Sequence, residues 1–176
     1  QRQMCIRDSE LHTADFLIAS LGDSLPAAAL PSVIFVLAAF TAFSTGSSWG
    51  AMGILLPLVL PLCWAIMGME GMTAGEDYFV LYSSVAGVLA GAVWGDHCSP
   101  ISDTTVMSSL SAGCDHIEHV RTQLPYALLA GAAALGAGTL PTSFGLPWWL
   151  GMLAAAAVTV VGLRLLGEPV EDYRPE

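Results

Sequence analysis

The sequence predicts an all-α, polytopic transmembrane helical bundle that contains broken or re-entrant helices. The chain of 176 residues is 55% hydrophobic and 11% charged, whereas charged residues make up about 25% of soluble domains. Its charged residues are separated by long apolar stretches, and a helix needs roughly 20 apolar residues to cross the hydrocarbon core. Short polar segments that contain glycine or proline interrupt these stretches. The first two observations place the chain in a membrane, and the third indicates helices that break there.

Composition also limits what the chain binds. The formal net charge is −10, and the few basic residues are scattered, which argues against nucleic acid as a partner. The four cysteines fit no zinc or disulfide spacing, and no cofactor is predicted. We interpret residues 1–9 as a non-native leader, residues 10–166 as the transmembrane unit, and residues 167–176 as a solvated acidic tail.

Two apolar helices are predicted first, over Leu25–Phe40 and Met52–Met67. The polar segment FSTGSSWG, residues Phe43–Gly50, lies between them. Irregular backbone at membrane depth is tolerated only where protein or a water-filled cavity satisfies its polar groups. The two lengths are compatible with a re-entrant hairpin and also with two full crossings.

The next crossing is predicted to be broken at its middle. An apolar helix over Tyr78–Trp94 is followed by the polar segment Gly95–Asp103 and by a short half-helix over Thr104–Ala112. Glycine recurs at every fourth position of the first part, which favours close packing of a neighbouring helix in lipid. These glycines are Gly87, Gly91 and Gly95.

A hydrophilic loop is predicted over Gly113–Arg121, before two further helices over Gln123–Leu140 and Trp148–Leu166. The loop carries a Cys-x-His-x-x-His pattern that begins at Cys114. We interpret this pattern as part of a solvated loop in preference to a metal site.

Three arginines set the predicted orientation. Arg121 precedes the fourth crossing, and Arg164 and Arg174 follow the fifth, so all three lie on one side of the membrane. Cytoplasmic segments carry an excess of arginine and lysine. The sequence therefore predicts a multi-pass protein of the cell (inner) membrane with a cytoplasmic C-terminus.

The polar breaks carry the predicted chemistry. Broken helices of secondary transporters bind ions near the membrane midplane, and acids within a membrane are functional by default because they are costly. Carboxylate and hydroxyl oxygens suit a hard cation such as Na⁺. The candidate ion and proton site comprises Asp96, His97, Ser99, Asp103, Thr104 and Thr105 from one break and Ser44, Thr45 and Ser47 from the other.

Exchange of a cation for a proton follows if one carboxylate serves both. Burial disfavours the charged form of a carboxylic acid, so a buried aspartate holds either a proton or Na⁺. His97 is a candidate for tuning or relaying the proton, because histidine changes its charge near neutral pH. Asp103 is also expected to cap the helix that follows it.

Three motifs resemble the NhaC-type Na⁺/H⁺ antiporter family. They are FSTGSSWG at 43–50, GDHCSPISDTTVMSS at 95–109 and GCDHIEHVRTQLPYAL at 113–128. The resemblance implies a secondary transporter built from two inverted repeats, of which this chain is the C-terminal one. It implies Na⁺ and H⁺ as partners, besides the lipid bilayer and an N-terminal half that this chain lacks. A homodimer is left open.

Two alternatives to Na⁺/H⁺ exchange remain at this point. The same scaffold serves organic-acid antiport of the malate/lactate type, but the chain lacks an arginine within the membrane that could pair with a substrate carboxylate. A membrane-embedded enzyme would use His97 with Ser99 or Cys98. It is disfavoured because no G-x-S-x-G nucleophile motif is present.

Overall fold

A computed structural model of the chain describes Phe16 and residues 25–72 and 75–167, and the described residues form helices and short connections without a strand. The predicted leader at 1–9 lies outside the described residues, as does the predicted tail except for Gly167.

Six helices make up the described fold. A 3₁₀ turn, Ala27–Ala29, precedes the first helix, and a second, Gly75–Asp77, precedes the third. A π-helical segment, Ala134–Thr139, lies within the fifth. The helices are α1 (Leu30–Thr45), α2 (Ser48–Met69), α3 (Tyr78–Cys98), α4 (Asp103–Ala112), α5 (His116–Ser143) and α6 (Trp148–Leu166).

Five of these helices, all except α4, are long and apolar enough to cross a membrane. The all-α, multi-pass fold class predicted from the sequence is therefore confirmed. The largest buried apolar cluster lies between α1, α2 and α3. In contrast, only 6% of the membrane-length window of α6 is buried within the described fold.

Helices α1 and α2 form an antiparallel hairpin. Gly46 ends α1 with φ of 66°, and the Ser47 side chain caps α2 by accepting a hydrogen bond from the Gly50 N–H. At the opposite end, the Ala27 N–H donates to Glu70 Oε1 at 2.8 Å. The two arms span 19 and 22 residues, so the segment is a hairpin in which each arm has the length of a crossing.

Helices α1 and α3 run parallel and pack through the predicted glycine face. A Cβ added at Gly87 would lie 2.8 Å from the Pro31 carbonyl oxygen, and the next two glycines of α3 lie still closer to α1 carbonyls. The pairs are Gly87 with Pro31, Gly91 with Phe35, and Gly95 with Ala39. The absence of side chains on α3 therefore allows the two backbones to touch, as small residues do in membrane helices.

The break after α3 is shorter than predicted and begins later in the chain. The helix continues through Gly95 to Cys98, and only residues 99–102 are non-helical. The prediction ended the helix at Trp94 because a glycine and an aspartate follow, but Gly95 is helical and packs against Ala39. Since α3 has 21 residues and is long enough to cross alone, the break follows a full-length helix. The predicted bounds of the break are therefore wrong, while its depth in the membrane stays a prediction.

The predicted loop over 113–121 is also wrong. Asp115 accepts hydrogen bonds from the backbone N–H groups of Ile117 and Glu118, and α5 begins at His116. An aspartate at this position satisfies N–H groups that the helix itself leaves unpaired. The charged residues after Asp115 therefore belong to the first turns of α5.

Helix α5 runs antiparallel to both of its main neighbours. Against α3, Trp94 Nε1 donates to the Ala127 carbonyl at 2.7 Å, and the ring of Trp94 fills the space beside Gly131. Against α6, Gly162 meets Leu129 near one end and Gly151 meets Gly138 near the other. This arrangement brings the first turns of α5 beside the break that follows α3.

Candidate functional site

The centre of the candidate site is Asp96 in the last turn of α3. Its side chain is 6% exposed. One carboxylate oxygen, Oδ1, accepts a hydrogen bond from Ser102 Oγ at 2.8 Å, and Oδ2 accepts one from Thr104 Oγ1 at 2.9 Å. The carboxylate therefore joins the end of α3 to the start of α4 across the non-helical residues.

Ser102 has two roles at the start of α4. Its hydroxyl lies 2.8 Å from that of Thr104 and also accepts a hydrogen bond from the Thr104 N–H. It is therefore the N-cap of α4, and the expectation that Asp103 caps this helix is wrong. Asp103 is instead the first helical residue. Ser102 follows the ordinary signal for a helix start, a serine before the first helical residue.

The backbone carbonyl groups around the break accept hydrogen bonds from residues of the break itself and from side chains of α5. The Ser99 N–H donates to the Asp96 carbonyl at 3.0 Å, and Gln123 Nε2 donates to the His97 carbonyl at 3.2 Å. His116 Nε2 lies 2.6 Å from the Pro100 carbonyl. Sequence reasoning named neither α5 residue as part of the site, because it placed His116 in a solvated loop and Gln123 at the start of a separate helix.

The two polar breaks meet in space. Ser99 Oγ donates to the Phe43 carbonyl at 2.8 Å. The Ile101 carbonyl oxygen lies 2.9 Å from the position a Cβ would take on Gly46. A turn without a side chain at Gly46 therefore lets the end of α1 approach the break. The contact between the breaks involves the Phe43 carbonyl, which a search for polar side chains does not detect.

The other predicted residues of the first break have local partners. Ser44 Oγ donates to the Phe40 carbonyl, and Thr45 Oγ1 donates to the Thr41 carbonyl, both within α1. Ser47 caps α2. No hydrogen bond links these three side chains to Asp96 among the described residues, and their role in ion binding stays a prediction.

The remaining predicted residues of the second break differ in exposure. His97 and Asp103 are exposed, while Thr105 is 3% exposed. Thr105 Oγ1 has no hydrogen-bond partner in the described part of the chain. The two aspartates therefore do not form one buried pair in this structure, and the roles of Asp103 and His97 stay predictions.

The dipoles of two helices, α3 and α4, act at Asp96. The N-terminus of α4 carries a partial positive charge that stabilises the carboxylate, whereas the C-terminus of α3 carries a partial negative charge that favours a cation. A carboxylate with neighbouring hydroxyl oxygens is an oxygen donor set of the kind that hard cations prefer. Fold and site together define a multi-pass membrane protein with a buried, oxygen-rich acidic site at a helix break.

A sequence profile of the Na⁺/H⁺ antiporter family matches residues 9–140. Since this match covers well over half of the chain, the protein belongs to the Na⁺/H⁺ antiporter family. Family membership favours a transporter over an enzyme.

Individual relatives show a wider range of described activities. An uncharacterized protein of Haemophilus influenzae is 40% identical over 152 residues, which are 86% of this chain and 27% of that protein. The malate-2H⁺/Na⁺-lactate antiporter of Bacillus subtilis is 30% identical, over 65% of this chain and 19% of its own length. An uncharacterized Na⁺/H⁺ antiporter of H. influenzae is 35% identical over 108 residues, 57% of this chain and 21% of that protein.

The chain thus spans at most about a quarter of the length of these curated relatives. No solved structure matches it.

Proposed function

We propose that this chain contributes the cation site of a secondary antiporter that exchanges Na⁺ for H⁺ across the cell membrane. The observation that carries the proposal is the buried Asp96 carboxylate, held across a helix break by the hydroxyls of Ser102 and Thr104. Family membership supports antiport. We further propose the NhaC-type subgroup and a C-terminal repeat paired with an N-terminal one, on the strength of the three motifs.

Two states of Asp96 are electrically neutral and account for the exchange. A protonated Asp96 is uncharged and donates its own hydrogen to one of the neighbouring hydroxyls. An ionised Asp96 binds Na⁺, and both hydroxyls then rotate to offer lone pairs to the cation, since a hydroxyl both donates and accepts. A proton and Na⁺ compete for the same carboxylate oxygens. The site therefore carries either H⁺ or Na⁺.

A further buried oxygen lies in the first turn of α4. The buried Thr105 hydroxyl adjoins Thr104 in sequence and has no hydrogen-bond partner among the described residues. A buried polar group normally has a partner, so an ion or a further protein segment is expected there. We propose Asp103, Ser99 and the hydroxyls of Ser44, Thr45 and Ser47 as additional contributors along the ion path, and His97 as the residue that tunes or relays the proton.

Organic-acid exchange is the second candidate. It is favoured by the similarity to the B. subtilis malate-2H⁺/Na⁺-lactate antiporter. Against it, the two described arginines, Arg121 and Arg164, are exposed, and the ion pair of Arg121 is with Glu118 of its own helix at 3.7 Å. Uptake of labelled malate or lactate in the absence of Na⁺/H⁺ exchange would favour this candidate.

Dissipation of a pH gradient tests the proposal directly. The full-length protein is reconstituted into liposomes with a preset pH gradient, and Na⁺ is added while a pH-sensitive dye is followed. We expect wild-type protein to dissipate the gradient and Asp96→Asn to respond like protein-free liposomes, because an amide neither ionises nor pairs with Na⁺. The matched control is Asp115→Asn. It removes a carboxylate outside the site, and asparagine is an equally good helix cap.

Two results would contradict the proposal: a wild-type gradient that survives Na⁺, or an Asp96→Asn variant that exchanges at the wild-type rate. Asp103→Asn in the same assay tests the exposed aspartate separately. Loss of exchange in that variant with normal membrane insertion would place Asp103 in the ion path together with Asp96.

A further inference from the structure

His116, at the start of α5, contacts both sides of the break. Its Nε2 lies 2.6 Å from the Pro100 carbonyl oxygen, and its Nδ1 lies 3.0 Å from Ser109 Oγ. Pro100 belongs to the non-helical residues after α3, whereas Ser109 is a buried residue of α4. One imidazole ring therefore links the break, α4 and α5.

The direction of the contact with Pro100 follows from elementary chemistry. A carbonyl oxygen only accepts hydrogen bonds, so Nε2 must carry the hydrogen and donate it. Nδ1 accepts from the Ser109 hydroxyl when the ring is neutral. When the ring is charged, Nδ1 donates to the Ser109 oxygen, while the Ser109 hydroxyl bonds to the Val106 carbonyl at 2.8 Å. The Nε2–H to Pro100 bond is present in both protonation states.

The Pro100 carbonyl lies in the stretch of backbone between Asp96 and its two hydroxyl partners. Asp96 precedes Pro100 by four residues, and Ser102 and Thr104 follow it. Pro100 and His116 are both half-buried, and a backbone carbonyl shielded from water is costly without a partner, so loss of the donor favours another conformation of the break. Such a change alters the distance between Asp96 and its two hydroxyl partners.

We propose that His116 is a positioning residue for the cation site, through the hydrogen bond from its Nε2–H to the Pro100 carbonyl. It acts as a hydrogen-bond donor in either charge state, and its ability to change charge is not required. The transport test of this inference rests on the proposed function, whereas the cysteine-labelling test rests on the fold alone.

Three variants separate this role from proton handling and from general stability. His116→Ala removes both contacts. His116→Gln places an amide N–H near the position of Nε2, whereas the shorter His116→Asn places one near Nδ1. We expect the apparent KM for Na⁺ to rise about tenfold in the alanine and asparagine variants, as for the loss of one hydrogen bond. The maximal rate per inserted molecule should be little changed, and glutamine should restore the wild-type KM.

The matched control is His119→Ala, which removes the neighbouring histidine of the same helix. We expect it to leave the apparent KM for Na⁺ unchanged. A wild-type KM in His116→Ala would overturn the proposal, as would a glutamine variant as impaired as the alanine variant. The comparison of glutamine with asparagine keeps its value if His116→Ala does not fold.

Cysteine labelling gives a readout that does not depend on transport. Cys98 is 7% exposed and lies with Phe43 and Leu124 around a cavity between α1, α3 and α5. In a variant with Cys98 as its one cysteine, we expect N-ethylmaleimide to label His116→Ala at least several-fold faster than His116→Gln. Equal rates would overturn the positioning role. If wild-type protein fails to exchange Na⁺ while this difference persists, the proposed function fails and the positioning of the break stands.

Discussion

Asp96 and Asp103 lie seven residues apart and have different surroundings. Asp96 is in the last turn of α3 and is buried against the start of α4, whereas Asp103 is the first residue of α4 and is exposed. The identity of the buried aspartate depends on how the four non-helical residues turn the chain. Sequence alone predicted a cluster of acids and hydroxyls here, but it could not rank its members, because the direction of a turn is set by contacts with α1 and α5.

The Thr104 hydroxyl is the cleaner of the two Asp96 partners to test. Ser102 also caps α4, so its removal would destabilise the helix by about 1 kcal/mol in addition to any effect on binding. Thr104→Val keeps the shape of the side chain and removes one hydrogen bond to Asp96. In the Na⁺-bound state this hydroxyl is proposed to offer a lone pair to the cation, so the variant also removes an oxygen ligand. Loss of a group that supports a metal site typically costs roughly 10- to 100-fold in affinity, and we expect Na⁺ affinity to fall by that factor. The measurement is Na⁺ binding by the purified protein in detergent.

Thr104→Ser and Thr122→Val are the controls for this prediction. The serine retains the hydroxyl and should bind Na⁺ with an affinity close to that of wild type. The Thr122 hydroxyl bonds only to carbonyls of its own helix, so its loss should have no effect on affinity. Unchanged Na⁺ affinity in Thr104→Val would remove this hydroxyl from the site.

Among the elements, α1 and α3 are joined most closely. The glycine face predicted from the sequence is their contact surface, and three α1 carbonyls lie against it. Burial of the glycines leaves no room for a side chain. The spacing of four residues could be read from the sequence because it matches one helical turn, whereas the partner helix could not.

Gly91→Leu should separate α1 from α3. A Cβ at this position already overlaps the Phe35 carbonyl, and overpacking of this kind costs about 1–3 kcal/mol or more. We expect a lower unfolding temperature in detergent, measured by the reaction of a thiol-reactive fluorophore with the buried Cys63.

Gly53→Leu is the matched control. Gly53 is also a helical glycine, on α2, but a Cβ there meets nothing within 4 Å. Its unfolding temperature should equal or exceed that of wild type, since leucine has the higher helix propensity. Equal losses in the two variants would mean that the effect belongs to the substitution and not to the α1–α3 contact.

Hydropathy located the membrane-length helices and the order of the breaks, because burial in lipid requires long apolar runs. Hydropathy did not predict where the helices begin and end, because polar residues determine those positions. Asp115 begins α5 among charged residues, and the polar residues 96–98 continue α3 beyond its apolar run. Capping hydrogen bonds and close glycine contacts do not contribute to a hydropathy average.

At the scale of the whole molecule, the two described arginines of the α5–α6 pair lie at the same end. Thr122, next to Arg121, and Leu163, next to Arg164, line one cavity between these helices. The break at residues 99–102 is at that end too, beside His116 and Gln123. If the arginines face the cytoplasm, the candidate site lies toward the cytoplasmic side.

Protease access to a tag after Glu176 tests this orientation. We expect the tag to be cleaved in inside-out membrane vesicles and protected in intact spheroplasts. A second tag inserted in the turn between α5 and α6, at Gly145, should give the opposite pattern because that turn lies at the other end of both helices. Cleavage of the terminal tag in spheroplasts would reverse the proposed orientation and put the Asp96 end of the fold outside the cell.

The spacing of contacts between α1 and α3 limits how the protein can move. Each α3 glycine and its α1 carbonyl partner are 56 residues apart in sequence, and so are Ser99 and Phe43, which join the two breaks. A slide of α3 by a single residue would replace every glycine at the contact with a residue that carries a side chain. These two helices must therefore travel as one rigid piece, with Asp96 carried on it. Access to Asp96 must then change through motions of the α1–α3 pair against the sparsely packed helices α5 and α6 and against any surrounding protein.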